Sequence, residues 1–453
     1  MDAWSGTIYH IYPLGALGAE HHHHNRDPVP ADDPGNIRRL ADWIPHLHEL
    51  HISAVLLGPV FESESHGYDT LDMTRVDPRL GSNEDLIVLC DAFHAAGISV
   101  ILDAVFNHVG RGHPFVQDVL TRREGSAYRS WLSGLTFTGP GPEDVHYDTW
   151  DGHGGLVKLN LQEPAVREHL LGAVDQWIRE FQVDGLRLDA ADVIDPSFWP
   201  ELRARVDRNY HPEAPLSFGK GRFFLMGEMV HGDYASIVGP ATLRSVTNFE
   251  LYKGLYSSHN DGNYHEIAHS LRRQFAEGGI YRGIPLQTFA DNHDVDRVAA
   301  TLGDPRHLYP LHILLFTVPG IPSLYYGSEA GFCATTGNDD WPVRPALTPA
   351  QVVEKGSHPD LIPVLRRLTE LRAELPGLSV GAYREVFVDS MQLAFVRAHD
   401  ETELAVVVNA ADTEAAVDIP LPGSGYDLLN RENIDFSTPV MVAPFWGRVI
   451  RLA

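Results

Sequence analysis

Four short segments of the chain join an apolar, strand-like run to acidic, basic or imidazole side chains. They span residues 103–108, 185–189, 224–228 and 289–294. A charged group at the tip of such a run cannot stay in a core without a partner. Together the segments supply five carboxylates, a guanidinium and two imidazoles. This set suits the cleavage of a glycosidic bond, which needs one carboxyl as an acid and another as a nucleophile or base.

The surroundings of the candidate carboxyls differ. Arg187 precedes Asp189 by two residues on the same predicted strand, so both side chains point to one face, and a guanidinium there favours the charged carboxylate. Glu228 follows an apolar run, a setting that favours the protonated acid. Asp294, beside His293, adds a third carboxylate that can bind sugar hydroxyls.

Strand-like runs and amphipathic helical stretches alternate through most of the sequence, which is typical of βα units and a parallel sheet. Eight strands are predicted, near residues 8–12, 54–57, 100–106, 185–188, 223–226, 245–247, 286–289 and 321–325. Helices are predicted at 36–50, 84–96, 165–181, 309–317 and 363–374. Eight parallel strands close into a barrel, whose carboxyl ends would bring the four segments to one mouth.

The predicted fold class is therefore α/β, a (β/α)8 TIM barrel with two additions. The barrel takes residues 1–108 and 164–380. A Gly/Pro-rich stretch, 109–163, predicts a small inserted subdomain after strand 3 that overhangs the mouth. Residues 381–453 alternate as antiparallel strands do and predict a C-terminal β-sandwich. Its strands are expected near 391–396, 404–409, 415–419 and 440–452.

Composition narrows the partners. The 453-residue chain carries a net charge of −26, which argues against a nucleic acid or an anionic membrane as partner. No apolar run approaches the length of a membrane span, and the first residues lack the pattern of a signal peptide. Two isolated cysteines form no disulfide framework. These features favour a cytoplasmic enzyme acting on a small neutral substrate.

The four segments, in this order, resemble the signature regions of the α-amylase family of retaining glycoside hydrolases. The resemblance extends over essentially the whole chain. Two further segments agree with it: His-Gly-Tyr-Asp-Thr at 66–70, after strand 2, and 320–329 at strand 8. The opening run at 8–13 is also similar to the first strand of that family.

The resemblance implies roles for individual residues. Asp189 would be the nucleophile, Glu228 the general acid/base and Asp294 the transition-state stabiliser, with the carboxyl pair about 5–5.5 Å apart as in retaining enzymes. Arg187 would orient Asp189, and Tyr68 would stack on the sugar. The other implied substrate-binding or supporting residues are Asp103, Asn107, His108, Lys158, His231 and His293.

Finer signals point to one subgroup. Leu-Val-Lys-Leu-Asn at 156–160 resembles a segment of neopullulanases and cyclomaltodextrinases, and His231 stands three residues after the acid as in that subgroup. The Lys-His pair of many starch α-amylases is replaced by Asp192 and Val193. We therefore expect hydrolysis, mainly of α-1,4 bonds, in small cyclic or linear malto-oligosaccharides, including mixed-link rings. The sequence starts almost at strand 1, without the subgroup's N-terminal β-domain, so monomer and homodimer both stay open.

Three alternatives remain beside this prediction. A transglycosylase, or glucanotransferase, could use the same scaffold, because water and a second sugar compete for one intermediate. An α-1,6- or trehalose-directed glucosidase is the next alternative. A non-catalytic amylase-like binding protein is disfavoured because all three acids are present.

No cofactor is expected to be required, and no metal site is assigned. The run at 21–24 contains four histidines, but consecutive imidazoles do not share a face, so it is predicted as a solvent loop. Calcium is left open. Asn107 corresponds to a calcium ligand in many α-amylases, but the segment after it offers no clear acidic cage beyond Asp144, Asp148 and Asp151.

Overall fold

A computed structural model describes residues 6–22, 27–141, 144–212, 218, 221–375 and 377–453. Eight parallel strands form one sheet with the spatial order β6-β5-β4-β3-β2-β1-β8-β7. Their bounds are β1 Ile8–Ile11, β2 Ala54–Leu57, β3 Ser99–Ala104, β4 Gly185–Leu188, β5 Phe224–Gly227, β6 Ser245–Val246, β7 Gln287–Phe289 and β8 Ile321–Tyr325. Thr247, just after β6, bridges Gln287 at the start of β7, so the sheet closes on itself. The predicted (β/α)8 barrel is confirmed.

Helices surround the barrel and mostly lie where the apolar spacing predicts them. The α-helices are Pro13–Ala16, Ile44–Glu49, Asn83–Ala95, Pro114–Arg122, Pro164–Gln176, Phe198–Asn209, Phe249–Asn260, Tyr264–Phe275, Val298–Thr301, Leu308–Thr317, Pro349–Lys355, Leu361–Glu374 and Gly377–Val380. The predicted helix 36–50 differs. It is a 3-10 turn, Ile37–Trp43, followed by a short α-helix whose first turn contains Pro45, which lacks a backbone donor.

The barrel interior is apolar at one end and charged at the other. Side chains of five strands and of Phe218 form a buried cluster in its lower part: Ile8, Ala54, Leu56, Ile101, Phe218, Phe224, Met226 and Ile321. Towards the carboxyl ends of β3 and β4, Asp103 lies opposite Arg187 in the parallel register. Because side chains alternate along a strand, Arg187 points inward while Leu186 and Leu188 pack outward. The charges are thus collected at one end of the barrel.

The stretch after β3 forms small antiparallel pairs. His108–Gly110 pairs with Leu156–Lys158, which places Lys158 directly opposite His108. Thr136–Phe137 pairs with Val145–His146. Since His108 follows β3 closely, this excursion starts at the carboxyl end of the barrel. The predicted limits of a separate subdomain, 109–163, stay a prediction.

The C-terminal part is antiparallel. Its strands are β9 Ala382–Val388, β10 Gln392–His399, β11 Thr402–Asn409, β12 Ala415–Val417, β13 Ser424–Asp427, β14 Glu432–Asp435, β15 Val440–Val442 and β16 Trp446–Leu452. A six-stranded sheet has the order β9-β10-β11-β16-β13-β14, and β12 pairs with β15. Apolar residues of both sheets share one buried cluster, including Val407, Val417, Val440 and Ile450. This confirms the predicted β-sandwich.

One predicted strand of the sandwich is wrong. The run 440–452 is two strands that belong to different sheets. The chain turns between them at Phe445, whose φ is +52°, a left-handed conformation that a continuous strand does not contain. An apolar alternation carries no signal for such a turn.

The described part of the chain contains no helix that is both long enough and apolar enough to cross a membrane. Both cysteines are free, Cys90 in the core and Cys333 at the surface. Burial raises the pKa of the Cys90 thiol well above its usual value.

Candidate active site

Arg187 lies at the centre of the charged end of the barrel. Its Nη1 donates to both carboxylate oxygens of Asp103, at 2.9 and 2.7 Å, and lies 3.3 Å from Asp189 Oδ1. Its Nη2 lies 2.9 Å from Glu228 Oε1. One buried guanidinium therefore bridges the two carboxyls that the sequence assigns as nucleophile and acid.

Asp294 reaches the same mouth from the loop after β7. Its Oδ2 lies 3.0 Å from His293 Nε2, and its Oδ1 lies 2.9 Å from Arg344 Nη2. Arg344 also donates from Nε to the His293 carbonyl oxygen at 2.9 Å, and it pairs with Asp340 at 2.9 Å. Asp294 thus has two basic partners, of which it shares Arg344 with Asp340.

Aromatic rings surround His293, beside the carboxyls that contact Arg187 and beside Asp294. The Tyr68 ring stacks on His293 with centroids 5.6 Å apart, and its hydroxyl contacts His293 Nε2 and, at 3.1 Å, Asp103 Oδ2. Tyr12 also lies nearly parallel to His293, at 5.6 Å. His10 of β1 meets His293 edge-on at 5.0 Å. The site therefore offers flat apolar faces beside charged groups, an arrangement that fits a sugar ring.

Burial and neighbouring charge act on the three acids in opposite directions. Burial raises the pKa of Asp189 well above its usual value; the charge of Glu228 raises it further, and Arg187 opposes this. Burial also raises the pKa of Glu228, again against Arg187. Burial alone would raise the pKa of Asp294, but His293 and Arg344 hold it well below its usual range.

Three carboxyls share the guanidinium of Arg187. The sequence predicts a guanidinium that keeps Asp189 charged, but the structure divides that guanidinium among Asp103, Asp189 and Glu228. Two carboxyls close to one shared cation oppose each other's ionisation, so the charge of Glu228 adds to the rise in the pKa of Asp189 that burial causes.

Three other predicted site residues, His108, Lys158 and His231, differ in burial and in their contact with the acids. His108 Nε2 is 4.0 Å from Asp189 Oδ2, and burial lowers the pKa of His108 to about 4. Lys158 is half-buried on the strand opposite His108. His231 is exposed in the loop after β5, where its charge acts on Asp192 and opposes the rise that burial causes in the Asp192 pKa.

Sequence reasoning missed three contributors to the mouth. Arg344 follows β8 by nineteen residues or so and is 5% exposed, yet no strand-end pattern marks it. Its only local signal is Asp340, four residues earlier on the same turn. His10 and Tyr12 lie in the first-strand segment, where the sequence pattern indicates only a strand, yet both contact His293.

Two of the candidate calcium ligands, Asp144 and Asp148, have partners of their own, whereas Asn107 Oδ1 has no hydrogen-bond partner among the described residues. Asn107 Nδ2 lies 3.1 Å from His108 Nδ1. Asp144 accepts from the Gly141 amide and Asp148 from the Ser133 hydroxyl, both within the excursion after β3. Among the described residues, no group of three or more His, Cys, Asp or Glu side chains could hold a metal ion. Of the histidine run, His21 stacks on Trp341 at 4.0 Å, and residues 23 and 24 lie outside the described residues.

The family model of the alpha-amylase catalytic domain matches residues 18–360, which is more than half of the sequence. The chain belongs to the alpha-amylase family. It is a glycoside hydrolase, as the strand-end acids predict.

Similar proteins include well-defined hydrolases. A cyclomaltodextrinase of a Bacillus species is 31% identical over 395 residues, covering 84% of this chain and 67% of the relative. Neopullulanase 2 of Thermoactinomyces vulgaris is 29% identical over 408 residues, covering 88% and 67%. The chain thus spans about two thirds of the length of these relatives.

A solved structure matches from end to end. The cyclic alpha-maltosyl-(1-->6)-maltose hydrolase from Arthrobacter globiformis has a TM-score of 0.81 and 25% identity, and the match covers 100% of this chain and 99% of that one. The barrel, the excursion after β3 and the C-terminal sandwich therefore form an arrangement already known in a single enzyme.

Proposed function

We propose that this chain hydrolyses α-glucosidic bonds in small malto-oligosaccharides with retention of configuration, and that Asp189, Glu228 and Asp294 carry out the chemistry. One observation carries the proposal: a single guanidinium, that of Arg187, contacts the carboxyls of both Asp189 and Glu228 at the mouth of the barrel. Two carboxyls placed so close together fit a nucleophile and an acid/base acting on one bond.

In the first step Asp189 attacks the anomeric carbon of the bound sugar. The bond from that carbon to the glycosidic oxygen breaks, and the proton held by Glu228 passes to the departing oxygen. The product of this step is a glycosyl ester on Asp189, with Glu228 now ionised. In this proposal Glu228 carries the proton that the step consumes, and burial, which raises the pKa of Glu228, favours that protonated form.

In the second step a water molecule attacks the same carbon from the face that the leaving group vacated. Glu228 takes a proton from that water, and the ester bond to Asp189 breaks. Two inversions give overall retention, and the pair returns to its starting state with one proton.

Asp294 has a different task in this scheme. His293 and Arg344 keep it ionised, and it lies across the mouth from the reacting pair. A carboxylate held charged in this way can bind sugar hydroxyls more strongly as the ring distorts towards the oxocarbenium-like transition state. The stacked rings of Tyr68 and His293 provide the apolar face beside it.

The names of the similar proteins support the substrate class. They include cyclomaltodextrinase, neopullulanase and a cyclic maltosyl-maltose hydrolase. We infer that rings of glucose units, with α-1,4 bonds alone or with α-1,6 bonds as well, are substrates here. An intracellular maltogenic amylase of Bacillus subtilis, 29% identical over 345 residues, supports the proposal of a cytoplasmic enzyme.

Product analysis tests the proposal. The purified chain is incubated separately with maltotriose, a cyclodextrin, pullulan, isomaltose and a mixed-link cyclic tetrasaccharide, and products are separated by chromatography. We expect turnover of the maltose-containing rings and of maltotriose, with little from isomaltose. NMR of the first product formed should show the α-anomer.

Two outcomes would contradict the proposal. Absence of hydrolysis of all five substrates would exclude the small-glucan assignment. A first product with the β-configuration would exclude the double displacement through Asp189. Products longer than the substrate would instead identify the transglycosylase alternative.

A further inference from the structure

Just after β4, the chain contains one residue more than regular pairing with the neighbouring strand β5 requires. The Glu228 amide donates to the Leu188 carbonyl oxygen at 2.8 Å, and the Glu228 carbonyl oxygen accepts from the Ala191 amide at 2.9 Å. In a regular parallel pair, the two residues bonded to one partner are two positions apart. Here they are three apart, so the chain contains an extra residue between them, as in a β-bulge.

The extra residue changes the direction of an amide. Ala190 has φ +47° and ψ +43°, a left-handed conformation that alanine rarely adopts. Its N–H is therefore not used in the ladder with β5. It points instead at the carboxyl of Glu228, where the distance from Ala190 N to Oε2 is 3.4 Å.

The neighbouring strand β5 ends in Gly227, which leaves the space that this turn occupies. A Cβ placed on Gly227 would lie 2.7 Å from the Ala191 Cβ and 2.8 Å from Leu243 Cδ1. No side chain other than hydrogen fits at 227 while the bulge keeps its position. Gly227 directly precedes Glu228, so the turn after the nucleophile and the strand end before the acid are locked together.

We propose that the backbone N–H of Ala190 is a positioning donor for the catalytic carboxyl of Glu228, delivered by a bulge that places nucleophile and acid in register. The inference rests on the proposed role of Glu228. With Arg187 on Oε1 and the Ala190 N–H at Oε2, both oxygens of Glu228 are engaged from the β4 side.

The donor matters when the charge on Glu228 changes. As Glu228 passes its proton to the glycosidic oxygen, the carboxyl becomes a carboxylate, and a fixed N–H dipole stabilises the charge that develops. In the second step Glu228 regains one proton from water, and the interaction weakens again. The donor neither gains nor loses a proton itself.

Replacing Ala190 by L-lactic acid through nonsense suppression removes this N–H alone, since the ester keeps the methyl group and the chain path. The pKa of Glu228 is followed by titrating carboxyl carbon-13 labelled glutamate by NMR, with Glu228→Gln to assign the signal. We expect the pKa of Glu228 to rise by about half a unit or more, because a hydrogen bond to the charged form is lost. Turnover of maltotriose should fall about three- to tenfold.

The matched control is the same ester replacement at Ala191, whose N–H donates to the backbone oxygen of Glu228. It removes a ladder bond next to the same residue but no contact with the carboxyl. We expect lower resistance to urea with an unchanged Glu228 titration. A side-chain test complements it: Gly227→Ala should reduce turnover, and adding Ala191→Gly should restore part of it.

An ester at 190 that leaves the Glu228 titration unchanged would overturn the inference, and so would an equal shift from the ester at 191. The titration needs no turnover, so its result stands apart from the proposed function. If the unmodified chain hydrolyses none of the maltose-containing substrates while the titration shifts as expected, only the proposed function fails.

Discussion

Asp189 and Glu228 occupy one side of the barrel mouth, at the ends of β4 and β5, and Asp294 faces them from the loop after β7. The side chains of the pair are 10% and 13% exposed, whereas that of Asp294 is 34% exposed. The pair shares Arg187 with Asp103, while Asp294 contacts His293 and shares Arg344 with Asp340.

The directions of the pKa shifts follow how many basic groups contact each carboxyl. On the β4–β5 side, one guanidinium serves three carboxyls, and burial raises the pKa of both reacting acids. On the β7 side, two basic groups serve the acid, and its pKa falls well below the usual range. The two carboxyl environments at one mouth therefore differ in direction: the pKa values of the pair are raised and that of Asp294 is lowered.

The largest effect is expected from Asp189→Asn, which removes the nucleophile but keeps its size. We expect kcat on maltotriose to fall by about 10⁴ or more, as when the nucleophile is removed from a group of catalytic residues that act together. Initial rates measure this, with a thermal melt to confirm that the fold is intact. The matched control is Asp192→Asn, the same change at an exposed residue of the same loop, which should retain most activity. Retention of a tenth of the activity by Asp189→Asn would show that the nucleophile lies elsewhere.

Glu228→Gln tests the other member of the pair. A general acid contributes about 10²–10⁴ in rate, so kcat/KM on maltotriose should fall by that factor. The first step should be nearly unaffected for a maltosyl glycoside whose leaving group needs no proton, because only unactivated bonds require the acid. Rapid-quench measurement of the first turnover separates the two substrates. An equal loss on both would mean that Glu228 does not supply the proton.

Arg344→Met tests the opposite side of the mouth. Without Arg344 the pKa of Asp294 should rise. The proposed function requires ionised Asp294, so on acidification the variant should lose that form at a higher pH than the unmodified protein. We therefore expect the acidic limb of the kcat/KM profile to move to higher pH, with about a tenfold loss near neutrality. Arg39→Met, at an exposed ion pair, serves as control. An unchanged acidic limb would separate Arg344 from the charge of Asp294.

The smallest effect concerns burial without a compensating charge. Burial lowers the pKa of His312 to about 4, so the folded state keeps it neutral while the unfolded chain takes up a proton below about pH 6.5. The free energy of unfolding should therefore fall as the pH decreases from about 6.5 to about 4, by up to about 3 kcal/mol for this residue. Urea unfolding at pH 7 and pH 5 measures the slope.

His312→Gln should make that slope shallower, whatever it does to stability at pH 7. His265→Gln, at an exposed histidine, should leave the slope unchanged. Equal slopes in the protein and in His312→Gln would mean that this burial does not control protonation. The raised pKa of the carboxyl pair, which we attribute to the same desolvation, would then need another explanation.

Much of this molecule is visible in the sequence. The eight barrel strands lie within about two residues of their predicted positions, because an apolar run that ends in a charged residue marks both a buried strand and its exposed tip. The family and the hydrolase class follow from the same segments, and the family match confirms them. The individual roles of Asp189, Glu228 and Asp294 stay predictions.

Other features have no local signal. The turn at Phe445 divides what alternates like a single strand. Arg344 lies 50 residues from Asp294 along the chain and carries no motif, yet its Nη2 donates to that acid at 2.9 Å. The bulge at Ala190 depends on Gly227, which lies on another strand. Each of these is decided by contacts between segments that are distant in sequence.

By itself, the sequence determined which chemical groups the protein owns, the order in which they occur, and the strand ends that carry them. Only the tertiary structure decided how the cations are divided among the carboxyls and where the Ala190 N–H points. The physical reason is that desolvation, Coulomb interaction and hydrogen bonding depend on distances of a few ångströms between strands. A linear pattern fixes residue types and spacing along one strand, but not those distances.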